Sequence, residues 1–346
     1  MSSVPARQQP ATGGASPGTP GDILDVTDLS VTYAADRGPV VAVDQVSFAV
    51  EPSEFVGIVG ESGCGKSTLL FAIAQLLAPP AAVTGGSVTF KGRSMVGLTD
   101  RELAAVRWKD LSVVMQSAMN ALNPVRPIRA QFADAMRAHG VRSKAEIADR
   151  SAEVLRMVGI DPVHLRSYPH QLSGGMRQRA MIAMAMLFTP DLIIMDEPTS
   201  ALDVVAQRSL MVQIKELQQR FGFAVIFVTH DMSLISHFSD RLMVMYAGQV
   251  AEFGATQDLF DQPLHPYTAG LMDAFPSIRG PRRELLGIPG SPPNLAAPPP
   301  GCRFQPRCPQ AEPRCAGTPP ELYQVGGTQV RCLLHEDGGG MEGSNP

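Results

Sequence analysis

The 346-residue sequence has no marked excess of charge of either sign: 29 Lys and Arg face 33 Asp and Glu, a formal net charge of −4. Nucleic-acid binding usually needs a strongly basic face, so a nucleic-acid partner is not expected. Long hydrophobic runs are also missing. A stretch such as Met181 to Phe188 (MIAMAMLF) stops well short of the roughly 18 apolar residues that cross a bilayer. No basic start followed by an apolar stretch marks the first residues, so a secretory signal is not expected either. The chain reads as soluble and cytoplasmic, and it shows no internal repeat.

Two things are plentiful. Gly and Pro number 32 and 30, together about 18% of the chain against a usual total near 12%. The cysteines are five, and four of them lie between Cys302 and Cys332. Neither fact suits one uniform domain.

Residues 1–22 are Pro, Gly, Ser, Ala and Gln with little to bury, and read as a disordered tail. From Ile23 the pattern turns to strands, ILDVTDLSVTY, VVAVDQVSFAV and the apolar FVGIVG, the last leading into a Gly-rich turn and the helix TLLFAIAQLL. SVTFKG reads as a further short strand. Residues 100–188 read as a helical block. Buried strands return in DLIIMDEP and FAVIFVTH around the polar helix VVAQRSLMVQIKELQQRFG. The expected fold is therefore α/β with a helical insertion. Twelve prolines between Pro281 and Pro320 exclude an ordinary helix-and-sheet core there, and residues 337–346 form a second loose tail.

Gly60-Glu61-Ser62-Gly63-Cys64-Gly65-Lys66-Ser67 fits the phosphate-loop pattern G-x-x-x-x-G-K-[ST], between strand and helix. The glycines let backbone N–H groups turn toward phosphate oxygens, and the helix N-terminus adds about half a positive charge. Lys66 can reach the β- and γ-phosphates of a nucleotide, and Ser67 can offer its hydroxyl to Mg²⁺. Nothing nearby activates Cys64, which reads as a small filler. The strand Leu192–Met195 ends in Asp196 and Glu197, where α/β sheets place ligand chemistry. Asp196 suits Mg²⁺ and Glu197 suits polarising a water.

Leu172-Ser173-Gly174-Gly175-Met176-Arg177-Gln178-Arg179 precedes that strand. Here the sequence resembles the ATP-binding subunits of ABC transporters, a P-loop NTPase fold with a RecA-like core, an antiparallel β subdomain and a helical subdomain. Over residues 23–262, further family marks fall in order. Gln116 resembles the Q-loop, Ser200-Ala201-Leu202-Asp203 the D-loop, His230 the switch histidine and Tyr33 the adenine-stacking aromatic. Alone, Gln116 is a loop residue, Tyr33 a strand-end aromatic and His230 an ordinary core histidine; their order relative to the phosphate loop separates them from those readings.

The resemblance implies an ATPase in which Gly60 through Ser67 and Thr68 bind the phosphates. Ser67, Gln116 and Asp196 hold Mg²⁺, while Glu197 acts as general base beside Gln116 and His230. Ser173, Gly174 and Gly175 would act in trans on the ATP of a second ATPase subunit, identical or paralogous. Two transmembrane permease subunits and, indirectly, a substrate-binding protein complete the implied assembly at the cytoplasmic face of the cell membrane. The segment around Asn123-Pro124 belongs to the block that receives the permease. A soluble machine acting on DNA or ribosomes is the other class. Against it, the stretch from Lys66 to Ser173 leaves no room for a long coiled-coil insertion.

Leu264-His265-Pro266-Tyr267-Thr268 opens a region, residues 263–336, that resembles the C-terminal extension of peptide-importer ATPases. The implied solute is a di- or oligopeptide, with nickel or an oligosaccharide as alternatives. Cys302, Cys308, Cys315 and Cys332 follow a C-x5-C-x6-C-x16-C spacing. Disulfides suit an oxidising compartment. Zinc usually shows a C-x2-4-C knuckle, which is missing. An iron–sulfur cluster accepts loop-borne thiolates, and the resemblance implies a [4Fe–4S] cluster, with Zn²⁺ or free thiols as alternatives. Arg303, Arg307, Arg314 and Arg331 each neighbour a cysteine and are expected to offset the charge of such a site. His335 is not needed as a ligand.

Overall fold

In a computed structural model, residues 21–36, 38–116, 121–200, 202–274 and 287–336 are described. Most of the N-terminal tail, the C-terminal tail, Ala201 of the D-loop and residues 117–120 after Gln116 fall outside these.

The chain builds two sheets. The first is antiparallel, in the order β2-β1-β4-β5, from β1 (Leu24–Tyr33), β2 (Val40–Val50), β4 (Ala81–Phe90) and β5 (Arg93–Ser94). The second has eight strands, in the order β11-β12-β10-β9-β3-β8-β7-β6. Its parallel half comprises β6 (Leu111–Val114), β7 (Leu192–Asp196), β8 (Ala224–Val228), β3 (Phe55–Val59) and β9 (Arg241–Tyr246). Strands β3, β7 and β8 are buried at every residue, as expected where both faces are covered.

Helix α1 (Lys66–Ile73) follows β3 directly. The helical block contains α2 (Asp100–Val106), α3 (Ile128–Ala138), α4 (Lys144–Met157) and α5 (Gly174–Ala185). Helix α3 buries Ile128, Phe132 and Met136 at successive fourth positions, and α4 buries Ile147, Val154 and Leu155, the stripe an amphipathic helix turns inward. Thr99 and Glu102 form a capping box for α2, and Ser143 caps α4. Strand β6 falls between α2 and α3 yet pairs with β7 in the parallel sheet. Helices α6 (Val204–Phe221) and α7 (Met232–Phe238) flank β8.

The extension adds two strands, β11 and β12, to the sheet edge at β10. β10 (Gln249–Ala255) pairs with β9 and with β12 (Thr328–Val330), and β11 (Tyr323–Val325) forms the edge. α8 (Thr256–Asp261) and α9 (Pro266–Asp273) lie between. Tyr267 and Phe304, with Tyr246 of β9, bury an aromatic cluster whose ring centres lie 4.5–5.4 Å apart; edge and tilted packing at that spacing is favourable. His265 is buried, its Nδ1 accepting from the Tyr267 N–H, and burial depresses its pKa to about 3, so it stays neutral at the foot of α9.

Candidate nucleotide site

The phosphate loop runs from the end of β3 into α1. Gly65 stands just before the helix at φ +105°, where a Cβ would meet the Ala42 carbonyl oxygen at 2.3 Å. Gly60, at φ +151°, would place one 2.2 Å from the Met245 carbonyl oxygen. These glycines are required by both backbone angle and space. Lys66 curls back, its Nζ donating to the carbonyls of Gly60 (2.7 Å) and Glu61 (3.0 Å). Cys64 is buried, and burial pushes its thiol up, so it is a packed thiol rather than a nucleophile.

Asp196 at the end of β7 is buried, and its Oδ1 has no hydrogen-bond partner. Burial raises its pKa, opposed by a hydrogen bond with Ser67. A buried carboxylate oxygen without a partner is costly, and with the adjoining hydroxyl it makes the hard-oxygen donor set that Mg²⁺ takes. The residues present therefore fit that ion. Glu197 adopts φ +46°, unusual for a residue with a side chain. Its Oε2 accepts from Gln116 Nε2 at 2.7 Å, and His230 Nδ1 stands 3.9 Å from its Oε1. The His230 side chain is 70% exposed, open to a ligand. The Tyr33 hydroxyl pairs with Thr68 at 3.1 Å, which ties the aromatic at the end of β1 to α1.

Lys66, Ser67, Gln116, Asp196, Glu197 and His230 thus gather at the C-terminal ends of β3, β6, β7 and β8, where open α/β sheets bind ligands. Ser173 does not join them. It caps α5 by accepting from the Met176 N–H at 3.2 Å, and with Gly175 lines a separate cleft of about 310 Å³.

A family model described as ABC transporter matches residues 43–200, and one described as Oligopeptide/dipeptide transporter, C-terminal region, matches residues 251–315. The sequence is 44% identical to the oligopeptide transport ATP-binding protein OppD of Salmonella typhimurium, over 88% of this chain and 91% of that one. It is 42% identical to the dipeptide transport ATP-binding protein DppD of Bacillus subtilis, over 91% and 95%. The chain belongs to the ABC transporter ATP-binding family. It is an ABC-type ATPase of the oligopeptide/dipeptide group. Among solved structures, the dimeric MJ0796, a bacterial ABC transporter cassette, superposes with a TM-score of 0.61 at 30% identity. That match covers 67% of this chain and 98% of the cassette, which is also known in a post-hydrolysis dimer with ADP and phosphate. Among the described residues, no helix is long and apolar enough to cross a membrane.

In the extension no disulfide joins the described cysteines; Cys315 and Cys332 are buried and Cys302 and Cys308 half-buried. Among the described residues, no three His, Cys, Asp or Glu side chains are placed to hold one metal ion. The arginines beside the cysteines make their hydrogen bonds with oxygens. Arg303 pairs with Asp44, Arg307 with Glu61, and Arg314 with Glu312 and Glu336, while Arg331 donates to the carbonyls of Val250 and Pro320. Planar guanidiniums find stronger acceptors in carboxylates and carbonyls than in thiols. His335 instead contacts the Leu264 carbonyl oxygen at 3.1 Å. Sequence reasoning missed Tyr267, whose hydroxyl accepts from the Glu61 N–H at 3.0 Å; the H-P-Y-T run was the signal available.

Proposed function

We propose that this chain is the subunit whose ATP hydrolysis powers import of di- or oligopeptides through a pair of membrane permeases, bound peripherally at their cytoplasmic face. The observation that carries this reading is the gathering of Lys66, Ser67, Gln116, Glu197 and the unpaired Asp196 oxygen at one sheet edge, on a chain whose extension matches the oligopeptide/dipeptide group. Tyr33 stacks on adenine, and Gly60 to Thr68 wrap the phosphates. Ser67, Asp196 and Gln116 hold Mg²⁺. Glu197 takes the proton of the attacking water, with His230 beside it, and bond cleavage needs only positioning and charge neutralisation. Ser173, Gly174 and Gly175 complete the site of a second ATPase subunit. In vesicles holding the permeases and this chain, ATP inside is expected to drive uptake of a labelled oligopeptide delivered by the binding protein. Uptake of nickel or an oligosaccharide with no response to peptides would overturn the solute assignment.

We further propose that Cys302, Cys308, Cys315 and Cys332 hold a [4Fe–4S] cluster. The donor set supports it. Burial pushes the thiols of Cys302, Cys308 and Cys332 up, the last to about 11, and each is raised further by neighbouring thiols of the set. A bound cation charge would draw these three thiols to thiolates. Backbone N–H groups of Phe304, Gln310 and Leu334 point at three of these sulfurs, as they do around cluster sulfurs. A cluster offers a separate iron to each thiolate, so its ligands stand further apart than those of a single zinc ion. When bound it supplies a cross-link for a segment with little core of its own. Chain purified without oxygen is expected to be brown and to carry iron. A colourless, iron-free preparation would remove the assignment.

A further inference from the structure

One buried contact joins the cysteine-rich extension to the phosphate loop. Arg307 lies on a single 3-10 turn, Gln305–Arg307, between Cys302 and Cys308. Its side chain is only 4% exposed. Both terminal nitrogens bind the carboxylate of Glu61, the second residue of the phosphate loop, at 2.7 and 2.9 Å. The remaining donors reach the Tyr246 hydroxyl (3.2 Å), the Pro289 carbonyl (2.7 Å) and the Ile288 carbonyl (3.3 Å). A guanidinium has five N–H donors, and all five are used. From the same side, the Tyr267 hydroxyl accepts the Glu61 N–H, so the extension holds this residue by backbone and side chain together.

The chemistry of the loop gives this clasp a consequence. Its backbone must turn N–H groups toward the phosphates of ATP, and Lys66 supplies its cation. Glu61 brings a negative charge into that same loop. An unpaired carboxylate there repels the anionic ligand and is free to accept from Lys66 or from loop N–H groups that the phosphates need. A bidentate partner neutralises it and fixes its direction, which a lysine, as a point charge, does less well. The pairing joins residues 246 positions apart.

We propose that Arg307 is a positioning residue for ATP binding, and that through it the C-terminal extension sets the nucleotide affinity of the phosphate loop. Arg307 acts through Glu61 and does not touch the ligand. The inference rests on the phosphate loop being the nucleotide site, and it is independent of what the four thiols hold.

The test is an equilibrium titration of the purified full-length chain with a fluorescent ATP analogue and Mg²⁺. Arg307→Met is expected to raise Kd at least about fivefold, the lower end of typical coupling between sites. Glu61→Gln removes the charge while leaving the buried guanidinium one side-chain acceptor, and is expected to weaken binding less than Arg307→Met does. The double variant should return to the Glu61→Gln value, because no stray carboxylate remains. A role limited to holding the fold predicts no such rescue. Wild-type affinity in Arg307→Met, or a double variant as weak as Arg307→Met alone, overturns the proposal. Should Arg307→Met fail to fold, Arg307→Lys carries the test; it is expected to fall between wild type and full loss, and wild-type affinity there overturns the role of the fork. Lys66→Ala separates the two readings. Loss of binding in Lys66→Ala with none in Arg307→Met overturns the clasp alone, whereas wild-type binding in Lys66→Ala overturns the assignment of the nucleotide site itself.

Discussion

Glu197→Gln is expected to bind ATP as tightly as the native chain while its turnover falls by about 10²–10⁴-fold, the usual worth of a positioned general base. The substitution keeps the size of the side chain and its oxygen toward Gln116, which already donates to it at 2.7 Å. It removes the one group at the end of β7 that can accept a proton from water, since Asp196 is buried toward Ser67. Binding should survive because Lys66, Ser67 and the loop amides are untouched. A second expectation comes with the first: ATP persists, so the subunit pair held together by ATP accumulates. Near-native steady-state hydrolysis in Glu197→Gln would remove the residue from its role. Loss of ATP binding together with turnover would instead mark Glu197 as a binding group.

Much of this site is legible in the sequence, because its chemistry is local in sequence. The phosphate loop, the acids after β7 and the signature before α5 are each a run of adjacent residues whose spacing is set by one turn. The strands β3, β7 and β8 were legible as continuous apolar runs, since both of their faces are covered. Strand β6 was not, because its four residues lie between helices and gain their extended form from pairing with β7. Strand β4 begins at Ala81, earlier than its apolar half suggests; Gly85 and Gly86 hide its start, which pairing with β1 fixes. Strands β11 and β12 are three residues each in a Pro-rich region and exist by extending the sheet at β10. The clasp between Arg307 and Glu61 was illegible for the same reason. Proximity to a cysteine in sequence says nothing of a carboxylate 246 positions away, which only the fold brings to Arg307.

The separation of Ser173 from Lys66 leads to the other large effect. Ser173 caps its own helix, and its cleft with Gly175 contains none of the phosphate-loop residues, so no single chain encloses a phosphate between the two. The N-terminus of α5, a 12-residue helix, carries the partial positive charge that a γ-phosphate attracts. Hydrolysis is therefore expected to require two subunits, and the specific activity of the purified chain should fall toward zero on dilution. Two inactive variants sharpen the test. Lys66→Ala spoils the phosphate loop, and Ser173→Arg spoils the signature by filling the space above the helix N-terminus. Each alone is expected to lose nearly all turnover. Mixed in equal amounts, they pair at random under two-fold symmetry, half of the dimers are mixed, and one of the two sites in each mixed dimer is intact, so about a quarter of the native sites return. The site facing both lesions stays silent. No recovery in a mixture shown by native mass spectrometry to contain mixed dimers would overturn the shared site, and undiminished activity on dilution below the point where dimers are detected would do so independently.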